Sequence, residues 1–312
     1  MADPAAYQVV ARRYRPQQFA DLIGQEHVAR GLAGAIDSGR VGHAYLFTGA
    51  RGVGKTSAAR IYAKALECTN RKSGEPCNLC ERCQAISAGQ DVDVIEIDAA
   101  SNRGIDEIRQ LRQNVAVRPA SGNHKTYIID EVHMLTREAF NALLKTLEEP
   151  PPHVKFVLCT TEPEKLPITI LSRCQRFDFQ SVDTVAITQR LAQIVESEGL
   201  TVAPAALELI ARRAAGSMRD SQSLLEQLFG IAAGDKKNIE VEDVHAIIGT
   251  GKDEKVGELA QALINRDSPA ALSALHECLT QGADAGGVLE QLLTALRNCL
   301  VASVGCGPET FI

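Results

Sequence analysis

HAYLFTGARGVGKTSAARIYAKALEC, His43–Cys68, is the stretch whose reading decides the fold. His43–Gly49 is a short apolar run and reads as a buried strand. Lys55–Cys68 has the composition and spacing of a helix. Between them, GARGVGKT fits G-x-x-x-x-G-K-[ST] in its required strand–loop–helix context. The residues are Gly49, Ala50, Arg51, Gly52, Val53, Gly54, Lys55 and Thr56. Backbone N–H groups of such a loop, with the helix N-terminus behind them, cradle phosphate oxygens. Lys55 is placed to reach the β- and γ-phosphates of a triphosphate, and Thr56 to offer a hydroxyl to Mg²⁺.

Working outward, strands and helices alternate. DVIEID (Asp93–Asp98), KTYIID (Lys125–Asp130), KFVLCTT (Lys155–Thr161) and the short RFDF (Arg176–Phe179) read as strands. GIDEIRQLRQNV (Gly104–Val115) and REAFNALLKTLEE (Arg137–Glu149) read as helices, the second stopped by Pro150, Pro151 and Pro152. This order predicts an α/β domain with a parallel sheet covered on both faces. After about Ser181 the strand signal disappears. Apolar residues recur at threes and fours, as in Ala206, Leu207, Ile210 and Ala211, then Leu224, Leu225, Leu228 and Ile231. That predicts a small helical bundle with a turn at Gly234–Asn238. A third helical stretch starts near Gly251, and its last helix, Val288–Val304, runs into GCGPETFI, as if the chain stops inside a domain.

Composition agrees with a globular chain of about two domains or three small ones at roughly 150 residues per domain. The 312 residues are 45% hydrophobic and carry a formal net charge of −6. Disorder as the main state is excluded. There is no run of about 18 apolar residues to span a membrane. MADPAAYQVVARRYRP lacks the apolar core of a secretory signal, so a cytoplasmic chain with reduced thiols is expected. A mildly acidic chain is not a generic nucleic-acid binder, and any such site must be a local patch.

YIIDEVH, Tyr127–His133, sets Asp130 and Glu131 at the carboxyl end of a buried strand, the edge where open α/β sheets bind ligands. Asp130 is expected to hold Mg²⁺ through water, and Glu131 to polarise an attacking water. The bland alternative is that the two acids cap the next helix. His133 is read as structural. Of the nine cysteines, Cys68, Cys77, Cys80 and Cys83 give C-x8-C-x2-C-x2-C, the spacing of a structural tetrahedral Zn²⁺ site. An iron–sulfur cluster is the metal alternative, but the spacing fits neither common ferredoxin run. As an insert in a large domain, this segment is expected to fold locally. Cys159, Cys174, Cys278, Cys299 and Cys306 show no ligand spacing. Arg173 in LSRC and Arg219 in GSMRD carry little meaning alone.

Taken together, RYRPQQFADLIGQEHV, GARGVGKT, the four-cysteine insert, IDAASNRGIDEIR, YIIDEVHML, FNALLKTLEEPP, LCTTEPEKLPITILSRC and GSMRD resemble the gamma/tau subunits of the bacterial DNA polymerase III clamp loader. The resemblance runs almost continuously from residue 7 to about 250, and more loosely to the end. It implies an AAA+ ATPase: a RecA-like domain over 1–181 with a zinc module at 68–83, a helical lid over 182–248, and a partial helical collar over 249–312. It implies ATP, Mg²⁺ and structural Zn²⁺. It also implies a complex with other gamma/tau subunits, delta and delta-prime that opens a sliding clamp and loads it on primer–template DNA. By motif match Thr161, or its neighbour Thr160, is sensor 1; Arg173 is an arginine finger toward a neighbouring subunit's ATP; Arg219 is sensor 2. Arg103, Arg109 and Lys145 are candidates for DNA phosphate contacts, and Asn102 stands where a relative carries a basic residue. The family's chain continues past this length, and no polymerase active site is present.

Two other readings compete. DEVH also fits a DExH helicase box, but such enzymes need a second RecA-like domain, and the region after Ser181 offers no strands for one. A non-hydrolysing ATP-binding adaptor is the other, against which the intact loop, Lys55 and both acids argue.

Overall fold

The computed structural model describes residues 7–232, 238–248, 253–280 and 284–305. The chain divides into two compact units, one of Arg12–Ala186 with Ser217–Arg219, the other of Met1–Ala11, Ile187–Gly216 and Asp220–Ile312.

In chain order the first elements are α1 (Val10–Arg13), α2 (Glu26–Asp37), β1 (Ala44–Thr48), α3 (Lys55–Glu67), α4 (Glu81–Ala88) and β2 (Val94–Asp98). Then come α5 (Ile105–Val115), β3 (Lys125–Asp130), α6 (Arg137–Glu148), β4 (Val154–Thr160), α7 (Ile168–Leu171) and β5 (Gln175–Asp178). The strands form one sheet in the order β2-β3-β4-β1-β5, and every pairing in it is parallel. Its two faces are sorted by the alternation of strand side chains. Tyr45, Phe47, Ile128, Val157 and Cys159 pack with Leu32 and Ile36 of α2 and Ile61 and Tyr62 of α3. Leu46, Tyr127, Ile129, Phe156 and Leu158 pack with Ile108 and Leu111 of α5 and Leu143 and Leu147 of α6. The central strands β1 and β4 are buried throughout. This is the doubly covered parallel sheet that the apolar runs predict.

Register aligns the strand ends. Thr48 lies opposite Thr160 and Asp178, and Asp98 opposite Asp130. The carboxyl edge is therefore a row of polar side chains above an apolar sheet.

The other unit is helical and takes most of α8 (Thr184–Ser197) and α10 (Met218–Ala232), whose first residues belong to the sheet unit, with α9 (Pro204–Arg213), α11 (Val241–Ile248), α12 (Asp253–Ile264), α13 (Ser268–Thr280) and α14 (Ala285–Ser303). One correction applies here. Thr201–Val202 (β6) pairs in parallel with Asn238–Ile239 (β7), so strands are not wholly absent after Ser181. Two residues are too few to show a period of two. The turn expected at Gly234–Asn238 lies outside the described residues except Asn238, which begins β7. Cys306 and the rest of the terminal GCGPETFI beyond Gly305 also lie outside them. The last helix starts earlier than expected, because the Asp284 side chain caps it by accepting from the Gly287 N–H at 3.1 Å.

Candidate nucleotide site and four-cysteine module

The loop Gly49–Gly54 joins β1 to α3 at the polar edge of the sheet. Gly49 has φ +138°, and a Cβ there would lie 2.3 Å from the Phe179 carbonyl oxygen. Gly52 has φ +78°, and a Cβ would meet the Ser217 Oγ at 2.0 Å. Both positions therefore need glycine for conformation and for space. Lys55 is buried, and its Nζ donates to the carbonyls of Gly49 at 2.8 Å and Ala50 at 2.7 Å. Burial lowers its pKa, with Cys159, Glu131 and Asp130 opposing. The ammonium is held inside the ring of the loop, where a phosphate oxygen would find it.

Thr56 Oγ1 donates to Asp130 Oδ2 at 2.7 Å. A hydroxyl and a carboxylate in contact at the mouth of the loop are the hard oxygen donors that suit Mg²⁺. Glu131 follows with φ +46°, an uncommon left-handed backbone for a residue with a side chain. Such strain collects at functional sites. Thr161 Oγ1 donates to Glu131 Oε2 at 3.1 Å, whereas the Thr160 hydroxyl lies 3.0 Å from His133 Nδ1. Arg219 belongs to the same unit as the loop: its N–H donates to the Gly52 carbonyl at 3.2 Å. Thus Lys55, Thr56, Asp130, Glu131, Thr161 and Arg219 are gathered around one loop.

Arg173 is not part of that group. Its guanidinium donates to the Thr169 carbonyl at 2.6 Å and pairs with Glu148 at 2.5 Å, after α7 on the surface. The DNA-contact candidates split. Arg109 lines a shallow groove between α5 and α6 with Arg112 and Glu138, and Lys145 lines its continuation with Arg112. Arg103 instead reaches back to the Met134 carbonyl at 3.4 Å. Asn102 donates to the Asp98 carbonyl at 3.0 Å.

The four-cysteine cluster is present. The sulfurs of Cys68, Cys77, Cys80 and Cys83 all lie within 4.8 Å of one another. Cys68 and Cys80 sulfurs are 4.0 Å apart, close to the edge of about 3.8 Å that a tetrahedron of ~2.3 Å Zn–S bonds requires. The Cys77 N–H points to the Cys68 sulfur and the Cys80 N–H to the Cys77 sulfur, each at 3.3 Å. Burial opposes ionisation of Cys80, but hydrogen bonds from Cys83, Cys77 and the Thr69 backbone outweigh it and bring the thiol down to about 6. The donor set fits a soft, thiolate-binding ion such as Zn²⁺.

The module is not an independent knob, in contrast to the local folding expected of an insert. Glu75 accepts from the N–H groups of Phe19 at 2.7 Å and Ala20 at 2.9 Å. The buried Lys64 of α3 donates to the Gln17 carbonyl at 2.9 Å and to Asn78 Oδ1 at 2.7 Å. Arg82, between the last two cysteines, faces Glu67, Asp91 and Asp93 at 3.4, 3.0 and 3.5 Å. Sequence reading missed Lys64, Glu75 and Arg82, since no motif marks partners so far apart along the chain.

Comparisons with known proteins follow this geometry. A solved structure titled Thermotoga maritima RuvB Holliday junction branch migration motor superposes with TM-score 0.57 at 18% identity, over 90% of this chain and 91% of that one. The chain therefore has the AAA+ fold. Family models described as DNA polymerase III delta subunit, clamp loader subunit ATPase lid domain, and gamma and tau domain III match residues 24–183, 186–236 and 239–310. The tau subunit of Bacillus subtilis DNA polymerase III is 48% identical over 97% of this chain and 54% of its own length. The gamma subunit of Buchnera aphidicola subsp. Acyrthosiphon pisum is 39% identical over 94% of this chain and 80% of its own. The chain belongs to the gamma/tau family of DNA polymerase III clamp-loader subunits. It spans about half the length of the tau relative. Among the described residues, no helix is long and apolar enough to cross a membrane.

Proposed function

We propose that this chain is an ATP-hydrolysing motor subunit of a DNA polymerase III clamp loader, working in the cytoplasm. ATP binding would open a sliding clamp, and hydrolysis would leave it closed on primer–template DNA. The observation that carries the reading is the loop with Lys55 inside it and the Thr56–Asp130 contact at its mouth, beside Glu131. Lys55 binds the β- and γ-phosphates. Thr56, with Asp130 acting through water, would hold Mg²⁺, which would supply charge neutralisation to the phosphates. Glu131 orients the attacking water, and Thr161, which touches Glu131, is favoured over Thr160 as sensor 1. Arg219, hydrogen-bonded through its backbone to the loop, senses the γ-phosphate. The cysteine set would hold a structural Zn²⁺, with no position left for substrate.

We further assign 1–181 to the ATPase domain, 182–248 to the lid and 249–312 to the collar. Exposed Leu289, Leu293, Leu300 and Val304 recur along one stripe of α14. They are offered to the other gamma/tau subunits, delta and delta-prime. Arg109 and Lys145, with Arg112, form the basic strip assigned to DNA phosphates; Arg103 is the weaker candidate. A helicase would need a second large sheet, and the described residues after Ser181 hold only a two-residue ladder.

The test is ATP hydrolysis by the chain assembled with delta and delta-prime, with and without clamp and primed DNA. Turnover stimulated by clamp and DNA is expected. No turnover would leave the non-hydrolysing adaptor. Arg173 is assigned to a neighbour's ATP, so mixing Arg173→Ala with Lys55→Ala subunits should recover some turnover at interfaces that pair an intact loop with an intact arginine. No recovery in verified mixed complexes would place Arg173 in cis or in its pair with Glu148.

A further inference from the structure

His133 lies two residues beyond Glu131, in the short 3-10 turn Val132–Met134 that follows β3. Its side chain is only 6% exposed, and nothing in the nucleotide-binding scheme above uses it. Its ring is nevertheless fully engaged. Nδ1 lies 3.0 Å from Thr160 Oγ1 and 3.5 Å from Glu131 Oε2. Nε2 lies 3.1 Å from Glu162 Oε1. The Thr160 hydroxyl also accepts from the Glu162 N–H at 3.0 Å, which ties the start of the following segment into the same cluster. Glu162 is pinned in turn by Lys165 at 2.6 Å.

We propose that His133 is a positioning residue for hydrolysis: it ties the turn bearing Glu131 to the end of β4, so that the Glu131 carboxylate is held between the imidazole and the Thr161 hydroxyl. The proposal rests on the reading of Glu131 as the residue that orients water. A left-handed backbone at Glu131 is held only when its surroundings over-determine it. Here the constraint on the far side of the turn is the buried ring, bonded to the end of β4. The segment it grips, Thr160–Lys165, leads directly into α7 and Arg173. His133 thus stands between the water-orienting carboxylate and the segment that leads to the arginine, and its hydrogen-bond and ion-pair partners among the described residues are Thr160, Glu131 and Glu162.

The expected effect is on chemistry rather than on binding. A misplacement of about 1 Å at a reacting group costs roughly 10²-fold in rate. His133→Phe keeps the buried volume and removes both hydrogen bonds. In the assembled loader it should lower kcat about 10- to 100-fold, with KM for ATP within about twofold of wild type. His133→Asn places an amide, which can donate or accept, near the position of Nδ1 and within reach of the Thr160 hydroxyl, and should recover most of the loss. A thermal unfolding curve for each variant separates this from general destabilisation, which would not be reversed by the smaller Asn. Wild-type kcat in His133→Phe, an equal loss in Phe and Asn variants, or a raised KM at unchanged kcat would each overturn the proposal. Glu131→Gln run in parallel tests the reading beneath it. If Glu131→Gln is inactive while His133→Phe is normal, only the role of His133 falls. If Glu131→Gln hydrolyses ATP at the wild-type rate, both fall.

Discussion

The phosphate loop and the four-cysteine module are built at opposite ends of α3, and they are built on opposite principles. At the N-terminal end, Gly49 and Gly52 adopt positive φ and leave room for a ligand, while Lys55 is satisfied only by two loop carbonyls. At the C-terminal end, Cys68 begins a module tied to the rest of the fold through charged side chains: Lys64 of α3 with Gln17 and Asn78, Glu75 with the Phe19 and Ala20 N–H groups, Arg82 with three carboxylates. The first end is arranged to bind something absent from the chain. The second holds the chain to itself. Damage to the loop should therefore remove activity and spare stability, and damage to the module should do the reverse.

The largest effect expected is on the metal. Zn²⁺ binding is worth on the order of 10–16 kcal/mol in small zinc peptides, comparable with the whole stability of a domain. Metal analysis should find one Zn²⁺ per chain, and Cys77→Ser with Cys80→Ser should abolish it. The double substitution should also lower the unfolding temperature of the ATPase unit by about 10 °C or more, as a loss near 5 kcal/mol implies at this size. Unfolding at the wild-type temperature would return the module to the status of a locally folded insert and break the contrast.

Next comes Arg82→Met. The side chains of Glu67, Asp91 and Asp93 are almost fully buried, at 2, 3 and 2% exposure. Removing their shared cation should cost about 3–5 kcal/mol in urea unfolding. Burial pushes Glu67 and Asp93 upward. It is outweighed at Glu67 by His124 and the Asn123 and His124 N–H groups, and at Asp93 by the Ala120, Ser121 and Gly122 N–H groups with Arg82. Both carboxyls therefore sit below their ordinary range. Their contribution to stability is complete above the unfolded values near pH 4 and is lost as the pH falls through the folded values. Without Arg82 the Asp93 carboxyl rises, so acid unfolding should begin at a higher pH. An unchanged acid midpoint would remove Arg82 from the account.

Lys55→Ala probes the other end of the helix. ATP hydrolysis should fall by about 10²–10³, the loss typical when one donor to developing charge is removed. Most ATP affinity should go with it, since the charge is held against the β- and γ-phosphates. The unfolding temperature should barely move, because the lysine's contacts are to loop carbonyls that water can replace. Near-normal hydrolysis would sink the nucleotide site.

The contrast was only half legible in the sequence. The loop, the acid pair and the cysteine spacing are local patterns, and each motif lies within a few residues of itself. The sheet was legible because its strands are continuous apolar runs. Helix α2 left a readable stripe in Val28, Leu32 and Ile36 that was passed over. Helix α4 is short and hidden within the cysteine spacing. The Arg82 and Glu75 pairings join residues brought together only by tertiary folding. The left-handed turn at Glu131 has no signal at all, since glutamate is not a residue that announces positive φ. What sequence missed is chiefly what binds the module to the core.

The smallest effect is the sharpest control. Arg60 pairs with Glu96 of β2 through Nε and one terminal nitrogen, at 2.7 and 2.8 Å. That fork is better formed than any ion pair of Arg82, whose three carboxylate distances are 3.0, 3.4 and 3.5 Å. If geometry sets the energy, Arg60→Met should cost more than Arg82→Met. The Arg60 and Glu96 side chains are, however, 29 and 35% exposed. Water solvates both partners once the pair is broken, and pairs so placed are worth about 1 kcal/mol or less. Glu67, Asp91 and Asp93 have no such recourse. The same substitution at the two arginines, read by urea unfolding in the same buffer, should therefore give a loss of about 1 kcal/mol or less at Arg60 against about 3–5 at Arg82. Raising the salt should shrink the smaller value and leave the larger one nearly unchanged, because buried charge is poorly screened. Equal losses at the two sites would mean that burial does not set the worth of the Arg82 cluster, and the contrast between a site held open and a module held closed would have to rest on the metal alone.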